Sequence, residues 1–366
     1  MSDKNRTAAR AFLLCFFSLL LVGAIIYSIR ERGGTRVNER SRESLAMDTI
    51  IRVSVNSGKT PEELDRILDG AFELIAGLDD SLSMHKASSD ISRVNANAGQ
   101  KPVKVAPRTA AVLWTAAAAA NLTDGAFDVT IGPVTALWQI RDAKNSRLTL
   151  PGRDEIEDAL SLVGADMMTV SADNLIYLKK EGMKLDLGGI AKGFAASETG
   201  NFLAEAGIES ALIDLGGDVL ALGSRPNGAP WRIGIQHPYR PRGEPICSIT
   251  VNGASVITAG VYERFIKIGG KRYPHIFDPR TGRPIEGSLL SATVVTDDPT
   301  TGDALATAFM TLGLEKSKKL LESLPGVEAI FVSRGQADDE PELYVTSGIK
   351  GLVKTDLTKY TGEVQR

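Results

Sequence analysis

Two cysteines, three histidines and no excess of basic charge limit what this 366-residue chain can do. Cys15 lies in an apolar run and Cys247 stands alone, so the sequence argues against an intrachain disulfide and supplies too few thiols for a cysteine zinc site. Lys and Arg total 42 against 45 Asp and Glu, a formal net charge of −3, which lacks the basic footprint of a nucleic-acid binder. There is no G-x-S-x-G elbow, no H-E-x-x-H and no P-loop. Gly188-Gly189-Ile190-Ala191-Lys192-Gly193 comes nearest, but Phe194 stands where a Ser or Thr is required, and the G-x-G-x-x-G order of a dinucleotide fold is missing. Hydrophobic residues at 43% and charged residues at 24% are those of a folded globular chain, and 36 glycines, many in short clusters, point to tight turns and close backbone contacts.

One long apolar run is present. Residues 11–29, AFLLCFFSLLLVGAIIYSI, carry no charge and lie between Arg10 and Arg30. At about 1.5 Å per residue they nearly span a hydrocarbon core of roughly 30 Å, so they read as a transmembrane anchor behind a short basic region, 1–10. A cleaved signal peptide is the second reading, weakened by the want of a small-residue cleavage site. Counting Lys and Arg on the two sides places the C-terminal side in the cytoplasm. Residues 30–45, charged and without apolar pattern, read as a linker.

The soluble part is expected over 46–350, with a C-terminal tail at 351–366. A strand is predicted over 47–55, and Thr60-Pro61-x-Glu63 opens a helix with a capping box. An Ala-rich helix is predicted at about 106–123, and a hairpin turns through Ala172-Asp173-Asn174. From Met183 to Val219 the pattern reads strand, glycine turn, helix, strand, glycine turn, with Asp-Leu-Gly-Gly at 186–189 and again at 214–217. Further strands are predicted at 230–236, 246–251, 263–268 and 290–296, and a helix at about 302–312. Without a regular βαβ rhythm, the fold class is α+β, with mixed or antiparallel sheets and packed helices.

Four segments carry candidate chemistry. Asp303 and Thr307 share a helix face, and a carboxylate and hydroxyl one turn apart suit a hard cation such as Mg²⁺; the other reading puts Asp303 in an acidic first turn favoured by the helix dipole. The glycines at 188–189 permit close approach to an anion, with Lys192 adding charge, or form a purely structural turn. His275 precedes the turn Asp278-Pro279-x-x-Gly282 and is either a site residue or a structural one. Phe127 beside Asp128, after the Ala-rich helix, is either a ligand flank or core.

In order along the chain, Ser89-Asp90-Ile91-Ser92-Arg93, Gly125-Ala126-Phe127-Asp128, Asp186-Leu187-Gly188-Gly189-Ile190-Ala191-Lys192-Gly193, Leu215-Gly216-Gly217-Asp218, Tyr262-Glu263-Arg264-Phe265, His275-Ile276-Phe277-Asp278-Pro279-x-Thr281-Gly282 and Asp303-Ala304-Leu305-Ala306-Thr307 resemble the ApbE family of flavin transferases. The resemblance implies Mg²⁺-dependent transfer of FMN from FAD to a Thr or Ser hydroxyl of an acceptor protein, with release of AMP. It implies Asp303, Thr307 and the Gly189 carbonyl as Mg²⁺ ligands. Met47, Ala126, Phe127, Asp128, Asp186, Lys192 and Phe277 would contact FAD, and His275 matches the family's functional histidine, with Asp278 a rival base. It implies acceptors among flavinylated subunits of membrane redox complexes, and a single-pass protein of the bacterial inner membrane with its catalytic domain in the periplasm, against the charge count. Three positions depart from the family pattern: Asp48 stands where a glycine is frequent, Met84-His85-Lys86 replaces a Thr-aromatic-Arg stretch, and Ala259 replaces a serine. An FAD pyrophosphatase giving free FMN and AMP, and a non-catalytic membrane-tethered FAD-binding protein, are the alternative readings.

Overall fold

The computed structural model describes residues 37–140, 149–335, 340–355 and 360–364. The apolar run 11–29 lies outside them; among the described residues no helix is long and apolar enough to cross a membrane.

Nine strands form the central sheet, and they lie side by side in chain order: β1 (Asn38–Ala46), β2 (Thr49–Ser57), β3 (Ser210–Leu215), β4 (Val219–Leu222), β5 (Ser255–Gly260), β6 (Leu289–Thr296), β7 (Glu328–Arg334), β8 (Pro341–Thr346) and β9 (Tyr360–Val364). Every pairing is antiparallel except that of β9 with β8. The expected α+β class is therefore what forms. Four helices matter for the site: α1 (Pro61–Leu82), α2 (Pro107–Leu122), α3 (Ala191–Glu205) and α4 (Pro299–Leu312).

The sheet is covered on both faces. Helices α1 and α3 bury Leu64, Leu68, Ile75 and Leu203 against Ile51, Val53, Val55 and Ile213. On the other face a small sheet of 231–236, 245–251 and 353–355 buries Ile233, Ile249 and Val251 against Val256, Val332 and Val345. Strand β6 lies between the two layers and is buried at every position, so it shows a continuous apolar and small-residue run rather than alternation.

The capping box forms as the spacing predicts: the Glu63 amide donates to Thr60 Oγ1 at 3.3 Å and the Thr60 amide to Glu63 Oε2 at 2.7 Å. Four expectations are corrected. The linker read over 30–45 ends by Asn38, where β1 begins, and β1 pairs with β2 along its whole length. Its charges are absorbed by α1, with Arg40 3.4 Å from Asp65 and Arg42 paired to Asp69 and lying over Phe72. The strand expected from Met183 is only an isolated bridge between Ile131 and Lys184, because the Asn95 side chain takes both the amide and the carbonyl of Leu185, while the flanking Lys184 carbonyl and Asp186 amide bond to Gly132 and Val129. The tail supplies two strands, 353–355 against 245–251 and β9 against β8. Finally, α4 starts at Pro299, with the Asp298 carboxylate accepting from the amides of Thr300 and Thr301. Asp303 is thus on the second turn and 4% exposed, which removes the reading of it as a dipole-favoured first-turn acid.

Candidate active site

Two copies of one short motif build the base of a cleft. In the first, the Asp186 carboxylate accepts from the Gly188 amide at 2.9 Å and the chain turns into α3. In the second, Asp214 accepts from the Gly217 amide at 2.8 Å, and Gly216 and Gly217 take φ of +75° and +105° between β3 and β4. A Cβ on Gly216 would lie 2.1 Å from Thr49 Oγ1, so the turn requires glycine both for its backbone and for its approach to the β1–β2 hairpin.

Lys192, on the first turn of α3, joins the copies. Its ammonium is hydrogen-bonded to Asp218, which ends the second motif, and lies 3.7 Å from Asp303 Oδ2 on α4. Asp218 and Asp303 are buried. Burial opposes the Lys192 charge, but the two carboxylates outweigh it and hold its pKa above the ordinary lysine range. Burial likewise pushes the Asp303 carboxyl up, against the pull of Lys192 and with the repulsion of Asp218.

The approach of α3 to α4 depends on Gly193. Its amide donates to Asp303 Oδ2 at 2.9 Å, and a Cβ there would stand 2.1 Å from the Pro299 carbonyl oxygen and 2.7 Å from Asp303 Cβ. Gly193→Ala is expected to lower stability by about 1–3 kcal/mol through overpacking, read as a drop in thermal midpoint.

Gly189 completes this corner: a Cβ on it would meet Thr307 Oγ1 at 2.9 Å and the Phe127 ring at 3.2 Å. Asp303, Thr307 and the Gly189 backbone thus converge. A carboxylate, a hydroxyl and a peptide unit brought to one corner offer oxygen donors, a chemistry that suits a hard cation such as Mg²⁺ rather than a soft metal. Among the described residues no group of three or more His, Cys, Asp or Glu is placed to hold a metal ion.

His275 lines the same cleft from a separate element: Arg264 and His275 flank the base of the 265–268/271–274 hairpin. The Arg264 carbonyl accepts from the His275 amide and lies 3.1 Å from His275 Nδ1. Nδ1 is thereby the protonated nitrogen when the ring is neutral, which leaves Nε2 as the acceptor. Burial, opposed by that hydrogen bond and assisted by the Arg264 and Lys192 charges, lowers the ring's pKa to about 4. Asp278 does not line the cleft: Arg280 holds both its oxygens, at 2.8 and 2.9 Å.

The cleft encloses about 700 Å³. Met47, Ala126, Phe127, Asp128, Asp186, Gly189, Lys192, His275, Phe277, Asp303 and Thr307 all line it. Met47 reaches it from the two-residue turn of the β1–β2 hairpin. Asp128 is buried and accepts from the amide and hydroxyl of Thr130 at 2.8 and 2.7 Å, with burial raising its pKa. Phe277 packs 6.0 Å from Trp138. The ion-pair role of Asp218 and the part played by Arg264 were not legible in the sequence. Asp218 carries a signal, since it follows the second Asp-Leu-Gly-Gly; Arg264 lies in the segment Tyr262-Glu263-Arg264-Phe265, which marks the position but not its role.

The lysine and oxygen donors, the aromatic side chains and the neutral histidine that line it define a cleft for a large ligand with both anionic and aromatic parts. The comparisons with known proteins agree with that class. The ApbE family model matches residues 47–331, and the chain belongs to the ApbE family. It is 36% identical over 314 residues to the FAD:protein FMN transferase of Treponema pallidum, covering 82% of this chain and 86% of that one. It is 30% identical over 288 residues to the FAD:protein FMN transferase of Escherichia coli strain K12, covering 76% and 80%. Among solved structures, the ApbE protein of Thermotoga maritima superposes with a TM-score of 0.77 at 30% identity, covering 86% of this chain and 99% of that one. The flavin transferase ApbE of Vibrio cholerae gives 0.74 at 26% identity, covering 86% and 99%.

Proposed function

We propose that this protein is an FAD:protein FMN transferase that uses Mg²⁺, anchored in the bacterial inner membrane by residues 11–29 with its cleft in the periplasm. The observation that carries the catalytic reading is that Gly189, Lys192, Asp303 and Thr307 line one cleft together with a neutral His275, Phe127 and Phe277. The names of the relatives support the reaction class.

In this reading Asp303, Thr307 and the Gly189 carbonyl would hold Mg²⁺, which supplies charge neutralisation to the FAD diphosphate when bound. Phe127, Phe277, Ala126 and Met47 would shape the flavin end, with Asp128 and Asp186 as polar contacts. Lys192, kept cationic by its carboxylates, adds positive potential at the diphosphate. His275 Nε2 takes the proton from the Thr or Ser hydroxyl of an acceptor subunit of a membrane redox complex. The hydroxyl oxygen bonds to the FMN phosphorus, the bond from that phosphorus to the bridging oxygen breaks, and AMP leaves with the electron pair. In this reading the nucleophile comes from the acceptor, so none is needed from this chain.

The test incubates the protein with FAD, Mg²⁺ and an acceptor domain and follows acceptor mass. An FMN adduct that requires Mg²⁺ supports the proposal. Free FMN and AMP without adduct would identify a pyrophosphatase instead, and FAD bound but intact would identify a binding protein. A reporter fused after Arg366 that is active only in the cytoplasm would overturn the periplasmic placement.

A further inference from the structure

Three cationic side chains line the cleft, and they differ in how firmly they are committed. Lys192 is fixed between two buried carboxylates. Arg242 donates to the Gly216 carbonyl at 3.1 Å and lies 3.6 Å from Glu263. Arg264 is held most loosely: its guanidinium donates to the Asp48 carbonyl at 3.3 Å and stands 4.0 Å from the Asp48 carboxylate, with both side chains more than two-fifths exposed (41% and 46%). A pair so long and so open contributes little to stability and is readily exchanged.

Its other end is unusual. Ala46 pairs with Thr49, so Met47 and Asp48 form a two-residue turn, and both adopt left-handed φ, +51° and +58°. Such turns favour glycine, asparagine and aspartate, so Met47 is the disfavoured choice, while Asp48 suits the turn and places a carboxylate in the cleft lining. The root of Arg264 is fixed, by contrast, because its carbonyl takes the His275 amide. The side chain is thus a planar, two-pronged cation swinging from an anchored backbone, next to the histidine, with a single weak anionic partner. A guanidinium matches phosphate oxygens in a bidentate fashion and prefers them to one distant carboxylate.

We propose that Arg264 is a diphosphate ligand for FAD, parked on Asp48 until the nucleotide enters, when it exchanges the carboxylate for phosphate oxygens. Asp48 is then a competitor for Arg264 and tunes FAD affinity downward. This rests on FAD being the substrate.

Flavin fluorescence titration with FAD, and with riboflavin as a probe without phosphate, tests it on the full-length wild type, Arg264→Gln, Asp48→Asn and the double variant. Arg264→Gln keeps the backbone carbonyl on His275, and both side chains are half-exposed, so the fold is retained. Arg264→Gln is expected to weaken FAD about tenfold, the usual scale for one charge-assisted hydrogen bond. Asp48→Asn is expected to tighten FAD a few-fold, and to do nothing once Arg264 is gone. Riboflavin is expected to respond to neither. Unchanged FAD affinity in Arg264→Gln overturns the proposal, as does an equal loss for riboflavin. If Asp48→Asn weakens FAD as much as Arg264→Gln, the pair is a static clamp and the exchange is wrong. A wild type that binds FAD and flavinylates while Arg264→Gln is neutral refutes this inference alone; a wild type that binds no FAD refutes the parent reading with it.

Discussion

Asp303→Ala should reduce FMN transfer by about a thousandfold or more, with the loss not restored by raising Mg²⁺ or Mn²⁺. The magnitude follows from what one side chain does at one place. It is the only carboxylate of the proposed donor set, and removing a metal's charge stabilisation from a phosphoryl transfer costs several kcal/mol of barrier, roughly three powers of ten in rate. The same carboxylate accepts the Gly193 amide and sits beside Lys192. Lys192 retains Asp218, so the variant keeps a paired cation and is expected to fold. Asp303→Asn separates charge from packing: it preserves the volume and an acceptor oxygen, and transfer should still fall by a hundredfold or so. A variant of either kind that transfers FMN at the wild-type rate, with or without added metal, removes Asp303 from the site.

His275→Gln is expected to lower transfer by about 10²–10⁴-fold, the range for a positioned proton acceptor, while leaving FAD affinity near that of the wild type. The pH dependence fixes the direction. With its pKa lowered to about 4, His275 is already the free base at neutral pH, so its own titration should affect transfer only as pH approaches 4, and any loss nearer pH 6 belongs to the raised Asp303 carboxyl. Arg264 and Lys192 keep the proton off, and Asp186 weakly favours it. Stability follows the same group. Between roughly pH 6.5 and pH 4 the unfolded chain binds a proton at this position that the folded chain refuses, so the folded state loses stability as pH falls through that window. Denaturant midpoints at pH 7 and pH 5 should therefore differ less for His275→Gln than for the wild type. An acid limb near 6.5 that is present in the wild type and lost in His275→Gln would mean that the ring is not the buried neutral base described.

The elements that the sequence announces are those whose signal is local. The capping box at Thr60 and Glu63, the hairpin at 168–178 and the stretch that became β6 each depend on residues within a few positions of one another, and each formed. The strand β1 was hidden because its half-buried residues include Asn38, Arg40 and Arg42; the arginines pair with Asp65 and Asp69 on a helix, Asn38 donates to the Lys59 carbonyl, and an edge strand does not need an apolar face. The strands of the tail were hidden for a related reason, since they are short and pair with segments far away. At the site, side chains of chemical distinctiveness could be picked out singly. Their mutual arrangement could not, because the contact of Lys192 with Asp218, or of Arg264 with Asp48, links points in the chain whose separation carries no pattern.

The order of strands in the central sheet bears on how the cleft comes into being. Neighbours in the sheet follow one another along the chain, yet β2 must wait for β3, from 57 to 210, before its second edge is paired. Contacts of that span slow folding, since a long loop is closed before the pairing rewards it. The cleft is more delayed still: Met47 reaches it from the first hairpin, Lys192 from the middle of the chain, and Asp303 and Thr307 from α4, and no growing polypeptide shorter than Thr307 contains the whole set. A nascent chain therefore cannot engage nucleotide until most of it has been made. Acquisition of FAD binding during refolding is accordingly a reporter of the last long-range closure, distinct from the earlier recovery of helical signal.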